Sequence, residues 1–235
     1  MSFKRLIQKH SKDIFNASIS HYFKTIYRYV IDRNYRKSVN LSNWLEAQIQ
    51  NPSEQLKLLA DKIQSHPTDA DQQMMAIFKY IENSRGHMKY VSDSIKWKTI
   101  EKWQTVTESA ESLTGDCEDG AILMYALARY KGIDVNQLLI FCGEVINPYT
   151  KKREGHAYLM YKPLFDPFHW FSMDWCYFPR RERLDRRERF YVKDKKIYLQ
   201  KALVNSTFTY VEHPIYLNIW WAFNEEYAIK EFTRK

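Results

Sequence analysis

The pattern of apolar positions changes character along the chain. Through roughly the first hundred residues apolar side chains recur every third or fourth position, the spacing of one helix face. Phe3, Leu6, Ile7, Ile14, Phe15, Tyr22, Phe23, Ile26, Tyr27 and Val30 make one such stripe. Further helices are predicted over Leu41–Ile49, over Pro52–Ile63 with the proline in the first turn, and over Asp69–Ile81. From about Tyr90 the elements shorten. A helix is predicted over Ala121–Tyr130, closed by Lys131 and Gly132, followed by strands over Gln137–Val145, Gly155–Tyr161 and His169–Cys176. Arg189–Val192 and Ile197–Leu203 flank a polar turn and read as a hairpin, and the aromatic-rich tail Tyr210–Phe232 reads as core or interface. Helices first and antiparallel strands afterwards make an α+β arrangement.

Composition narrows the class. With 235 residues and 45% hydrophobic content the chain can bury a substantial core. No apolar stretch reaches the roughly 20 residues of a membrane span, and the basic N-terminus lacks the apolar core of a secretory signal. A cytoplasmic protein is expected, with association with a virion as the alternative. The three cysteines, Cys117, Cys142 and Cys176, form neither a disulfide framework nor a CxxC metal motif, so no metal and no cofactor is expected. The formal net charge is +8, and the densest basic run is Arg180–Arg189. There Glu182 and Asp185 sit four residues before Arg186 and Arg189, and interleaved aromatics are lacking. A solvated face is the reading, not a nucleic-acid site.

The candidate chemistry begins at Gly115-Asp116-Cys117-Glu118-Asp119, directly before the apolar helix. A thiol there meets the N–H groups and dipole of a helix N-terminus, which favour a thiolate. Asp116 and Asp119 have the spacing of a capping arrangement, while the acidic neighbours of Cys117 oppose thiolate formation, so an imidazole is needed. His156 opens the alternating run His156-Ala157-Tyr158-Leu159-Met160-Tyr161. A hairpin centred on residue 165 sets His156 opposite Asp174 on one sheet face, with Cβ atoms about 5 Å apart, where the carboxylate would accept the Nδ1 proton. Asp166, near the hairpin tip, lies roughly 25–30 Å from His156 at strand rise and is excluded as the partner acid.

Four strings taken together, Trp103-Gln104-Thr105-Val106-Thr107-Glu108, Gly115-Asp116-Cys117-Glu118-Asp119, Gly155-His156-Ala157-Tyr158 and Trp170-Phe171-Ser172-Met173-Asp174, resemble the transglutaminase-like superfamily, particularly its compact bacterial and phage cysteine-peptidase-like members. The resemblance covers about residues 75–178. It implies a papain-like core in which a Cys-bearing helix packs on a sheet bearing the His and Asp. It further implies Cys117 as nucleophile, His156 as base, Asp174 as its orienter, and Trp103 as the indole donor that helps hold an oxyanion. The implied activity is thiol-dependent acyl transfer through a thioester, acting on a protein or peptide amide, with water or an amine as acceptor. Calcium ligands of the large animal crosslinking enzymes are not recognisable.

Three segments are expected: a helical extension over 1–70, the catalytic core over 71–180, and C-terminal strands with the aromatic tail over 181–235. The extension and the tail are the expected surfaces for a protein partner. The alternative reading is a module that keeps the fold but serves binding or assembly in a larger particle.

Overall fold

The computed structural model describes residues 33–82, 86–147, 149–164, 170–177, 189–193, 196–199, 216–229 and 232–234. The apolar stripe over 3–30, Asp166 and the basic run up to residue 188 lie outside them. The helices are α1 (Arg33–Gln50), α2 (Glu54–Lys62), α3 (Ala70–Ile81), α4 (Asp93–Lys96), α5 (Val106–Ser112) and α6 (Cys117–Tyr130). A 3-10 turn, Val135–Gln137, leads into the sheet. The strands are β1 (Lys89–Tyr90), β2 (Thr114–Gly115), β3 (Leu138–Ile146), β4 (Arg153–Tyr161), β5 (Trp170–Met173), β6 (Arg189–Lys193), β7 (Lys196–Leu199), β8 (Tyr216–Phe223), β9 (Ala228–Ile229) and β10 (Phe232–Arg234). No helix among the described residues is long and apolar enough to cross a membrane.

Local signals set most helix boundaries. Asp69 caps α3 by accepting from Gln72 N at 2.9 Å. Ser53 caps α2, accepting from Leu56 N at 3.3 Å, so Pro52 stands before the cap and not in the first turn as expected. Helix α5 had no apolar periodicity to announce it. Its start is a reciprocal box: Glu108 N donates to Thr105 Oγ1 at 3.2 Å, and Thr105 N donates to Glu108 Oε2 at 2.8 Å. Helix α6 starts on a similar box between Asp116 and Asp119 and gives way to Gly132, whose φ of +86° suits glycine.

A short parallel pair, β1 and β2, sets Tyr90 beside Gly115, just ahead of α6. The other eight strands form one sheet in the order β10-β7-β6-β5-β4-β3-β8-β9. Neighbouring pairs are antiparallel except β10 with β7. Strand alternation divides the side chains between two faces. Leu138, Ile140, Ala157, Leu159, Phe171, Met173, Trp221 and Phe223 join the core that contains α6. Leu139, Phe141, Val145, Tyr158, Met160, Trp170 and Ala222 form a second cluster. The described part of the aromatic tail enters the sheet as β8 beside β3, with Trp221, Ala222 and Phe223 buried and Trp220 partly exposed.

Helices α1 and α2 are bound into the same core. Leu45, Leu56, Leu59 and Ala60 are buried in the cluster that holds Ala121–Ala128 of α6. Across the chain, Val106 N donates to Gln48 Oε1 at 3.1 Å, and Ser42 Oγ donates to the carbonyl of Asn224. Leu45 is 0% exposed. Leu45→Ala is therefore expected to lower the unfolding free energy by about 2–5 kcal/mol in urea titrations. A change below about 0.5 kcal/mol would mean that α1 rides outside the cooperative core.

Candidate active site

Each candidate residue is set by a different element. Cys117 is the first residue of α6, placed there because Asp116 ends extended backbone and caps the helix. The cap is held by a buried polar cluster. One oxygen of Asp119 accepts from Gln104 N at 2.9 Å, and the other accepts from the Gln104 side-chain amide and from Asp116 N at 3.2 Å. Gln104 accepts in turn from Lys96 Nζ at 2.7 Å, and the same ammonium reaches Thr114 O at 2.8 Å. Gln104 and Asp119 are both 0% exposed, and their mutual satisfaction makes that burial tolerable.

Electrostatics at the helix start run against ionisation of the thiol. Cys117 Sγ donates to Glu118 Oε2 at 3.0 Å. Burial first, then the electrostatic influence of Glu118, Cys176 and Asp116, raises the Cys117 pKa well above the ordinary thiol range. The same environment acts on the acids. Burial, reinforced by Glu118, pushes Asp116 up to about 8, and burial pushes Asp119 up to about 7 against the hydrogen bonds it accepts. The expected thiolate-favouring influence of the helix terminus is outweighed.

His156 and Asp174 are brought together. The His156 Nε2 lies 2.7 Å from Asp174 Oδ2, with side chains 1% and 0% exposed. Asp174 Oδ1 accepts from Cys176 N at 3.0 Å and Tyr177 N at 3.3 Å, so a local turn fixes the carboxylate that holds the imidazole. Two details differ from the sequence reading. The hairpin pairs Leu159 with Met173, Met160 with Ser172 and Tyr161 with Phe171, a register centred on residue 166 and not 165. This shifts the partner of each β4 residue by two positions, which keeps every side chain on its face. Asp174 becomes a diagonal neighbour of His156, one step beyond β5, still within reach of a side-chain bond. The bond also uses Nε2 and not Nδ1, so with Asp174 ionised the proton sits on Nε2 and the basic lone pair on Nδ1.

Trp103, the expected oxyanion donor, has its indole N–H engaged by a carboxylate. Its indole N–H donates to Glu101 Oε1 at 2.8 Å, its ring packs on Phe223 with centroids 6.1 Å apart, and Lys37 Nζ lies 5.7 Å from its centroid. A second indole, that of Trp175, donates through Nε1 to Cys117 O at 3.1 Å. Tyr177 covers the imidazole of His156, centroids 4.6 Å apart. Neither was singled out from the sequence. The available signal for the first was Gly120, a glycine inside a helix, which costs about 1 kcal/mol relative to alanine and so points to a packing demand.

Two acidic groupings have ligand atoms within 4.8 Å of one another, Asp93 with Asp116 and Asp119, and Asp116 with Cys117 and Glu118. Asp93 Oδ1 and Asp116 Oδ1 are buried without a hydrogen-bond partner. A hard cation would find oxygen ligands there. Proximity of acids is not by itself a metal site, and none is assigned.

With this geometry in view, the comparisons with known proteins are informative at the level of family. No curated protein matches the sequence. Among solved structures, Legionella pneumophila LapG, EGTA-treated, matches with a TM-score of 0.45 and 15% identity over 80% of this chain and 84% of that one. Another structure of L. pneumophila LapG gives 0.45 and 14% over 80% and 87%, and a calcium-bound one gives 0.42 and 17% over 72% and 92%. The sequence itself matches the transglutaminase-like superfamily over residues 57–175, just over half the chain and the stretch that carries α6, β4 and β5. The chain belongs to the transglutaminase-like superfamily.

Proposed function

We propose that the chain is a thiol-dependent acyl-transfer enzyme, a cysteine peptidase or amidase in type, with Cys117 as nucleophile, His156 as base and Asp174 as orienter. The observation that carries this reading is the buried His156–Asp174 pair at 2.7 Å in a chain whose family domain also presents a cysteine at a helix start. The two backbone N–H groups that Asp174 also accepts hold its carboxylate in place against the imidazole, as an orienting role requires.

Because the resting thiol is protonated, the reaction starts by general-base catalysis and not from a standing thiolate. His156, its Nε2 proton held by Asp174, takes the thiol proton as the sulfur–carbon bond forms at an amide carbonyl. The resulting oxyanion meets the N–H of Cys117, which as the first residue of α6 has no partner within the helix. The imidazolium then returns the proton to the departing amine, leaving a thioester for water or an amine to resolve. A protein or peptide amide is the proposed substrate class.

One observation favours a second reading, in which the fold serves binding or assembly, for example in a virion. The Cys117 thiol is bonded to Glu118 and held neutral, the condition of a cysteine that does not turn over. The two readings part at covalent capture. An electrophilic acyl probe should label the native protein, and Cys117→Ala should abolish that labelling while Cys142→Ala and Cys176→Ala keep it, as read by intact mass. Persistent labelling in Cys117→Ala refutes the assignment. Asp174→Asn should slow capture about tenfold to a thousandfold with the fold retained, less than the roughly four orders of magnitude known for the equivalent change in a serine triad.

The resting state gives a further expectation. Glu118→Gln removes the negative charge nearest the thiol, so the Cys117 pKa should fall toward the ordinary range and its alkylation by iodoacetamide at pH 7.5, a setting of about neutral, should quicken by roughly threefold to tenfold. An unchanged or slower rate would show that burial alone sets the thiol pKa.

A further inference from the structure

We infer that Trp175 is a positioning residue for this acyl transfer, seated on Gly120 and setting where the Cys117 end of α6 stands relative to Asp174 and His156. The inference rests on the reading above.

The geometry points to it from both ends of the side chain. Trp175 follows Asp174 directly in sequence, so its backbone shares the turn in which Asp174 Oδ1 accepts from Cys176 N and Tyr177 N. Its indole crosses to the other element and donates to the carbonyl of Cys117 itself at 3.1 Å. One side chain therefore joins the segment that orients the base to the residue that carries the nucleophile. The indole is 1% exposed and has no room to slide. A Cβ added at Gly120 would lie 2.2 Å from its Nε1, 2.3 Å from Cε2 and 2.8 Å from Cδ1, so only glycine lets the five-membered ring lie flush on the helix. The absent side chain and the N–H···O bond concern the same edge of the same ring.

Packing alone would not select this arrangement. A phenylalanine fills much of the same volume without a donor, and Tyr90, with ring centroids 6.1 Å from Trp175, already supplies aromatic contact from the other side. What the indole adds is a fixed distance between helix and turn. Acyl transfer needs that distance because the proton must pass from sulfur to imidazole during attack, and displacements near 1 Å can cost about a hundredfold. Simple alkylation needs only the thiol and an approach to it.

The test compares these two reactions in the full-length chain. Acylation is read as the p-nitrophenolate burst from p-nitrophenyl acetate, alkylation as incorporation of iodoacetamide at Cys117 by mass, and folding by thermal melting. Trp175→Phe should retain a cooperative melt, lower the burst rate by about tenfold to a hundredfold and leave alkylation within about threefold. Gly120→Ala should lower the burst by a similar factor, and the two changes should combine to less than the product of their separate effects, because both act through the seat of one ring. If the native burst depends on Cys117 and His156 but both Trp175→Phe and Gly120→Ala keep it within about twofold, the inference is wrong and the functional reading stands. If burst and alkylation change together, in step with the melting temperature, Trp175 is structural only and the inference again fails. If the native protein gives no burst, or Cys117→Ala gives the same one, the functional reading falls and takes the inference with it.

Discussion

The rest of the structure depends on one helix whose middle two turns have no solvent-facing side. Ala121 to Ala128 of α6 are all fully buried, enclosed by β3 and β4 on one flank and by α2, α3 and α5 on others. A helix apolar all round can be stable only if other elements surround it completely. That requirement accounts for the inclusion of Leu45 and Leu56 in the same cluster and for the return of the C-terminal chain as β8 against β3. It also fixes the helix start, because a buried N-terminus must find partners for its N–H groups within the protein. Asp116 and Asp119 supply them, Gln104 in turn satisfies Asp119, and Lys96 anchors Gln104.

The solution has an electrostatic consequence. A helix terminus contributes up to about 2 kcal/mol toward an anion in a partly buried geometry, roughly one and a half pKa units for a thiol. Burial and adjacent acids shift pKa values by several units in the opposite direction. Magnitude therefore decides the matter, and Cys117 rests as a neutral thiol bonded to Glu118. In the proposed reaction the imidazole must do more than stabilise an existing ion pair. It has to remove the proton while attack proceeds, which makes the placement of the sulfur relative to His156 more demanding than in a site with a standing thiolate.

Asp174 joins a backbone turn and an imidazole through one carboxylate. One of its oxygens closes the turn after β5 and the other holds His156. A structural cap and a catalytic orienter are usually alternative explanations for a buried acid. Here the cap makes the carboxylate rigid, which is what the proposed orienter role requires.

The sequence by itself determined the local features of this protein. The apolar run from Ala121 and the Asp116–Asp119 spacing placed α6 and put Cys117 at its start, alternation in residues 156–161 placed β4, and the strand expected over 169–176 contains β5, which ends at Met173 where a turn begins. These signals are carried by residues a few positions apart, where periodicity and capping act directly on the backbone. The same parity argument paired His156 with Asp174 on one face even though the register was two residues off, since an even shift leaves faces unchanged. Tertiary structure decided everything that depends on distance between elements. The choice of Nε2 over Nδ1, the capture of the Trp103 N–H by Glu101, the burial that keeps the thiol neutral and the seating of Trp175 on Gly120 all arise between residues that no short-range rule connects. Packing sets such contacts to within fractions of an ångström, and a pattern of apolar and polar letters carries no information at that scale.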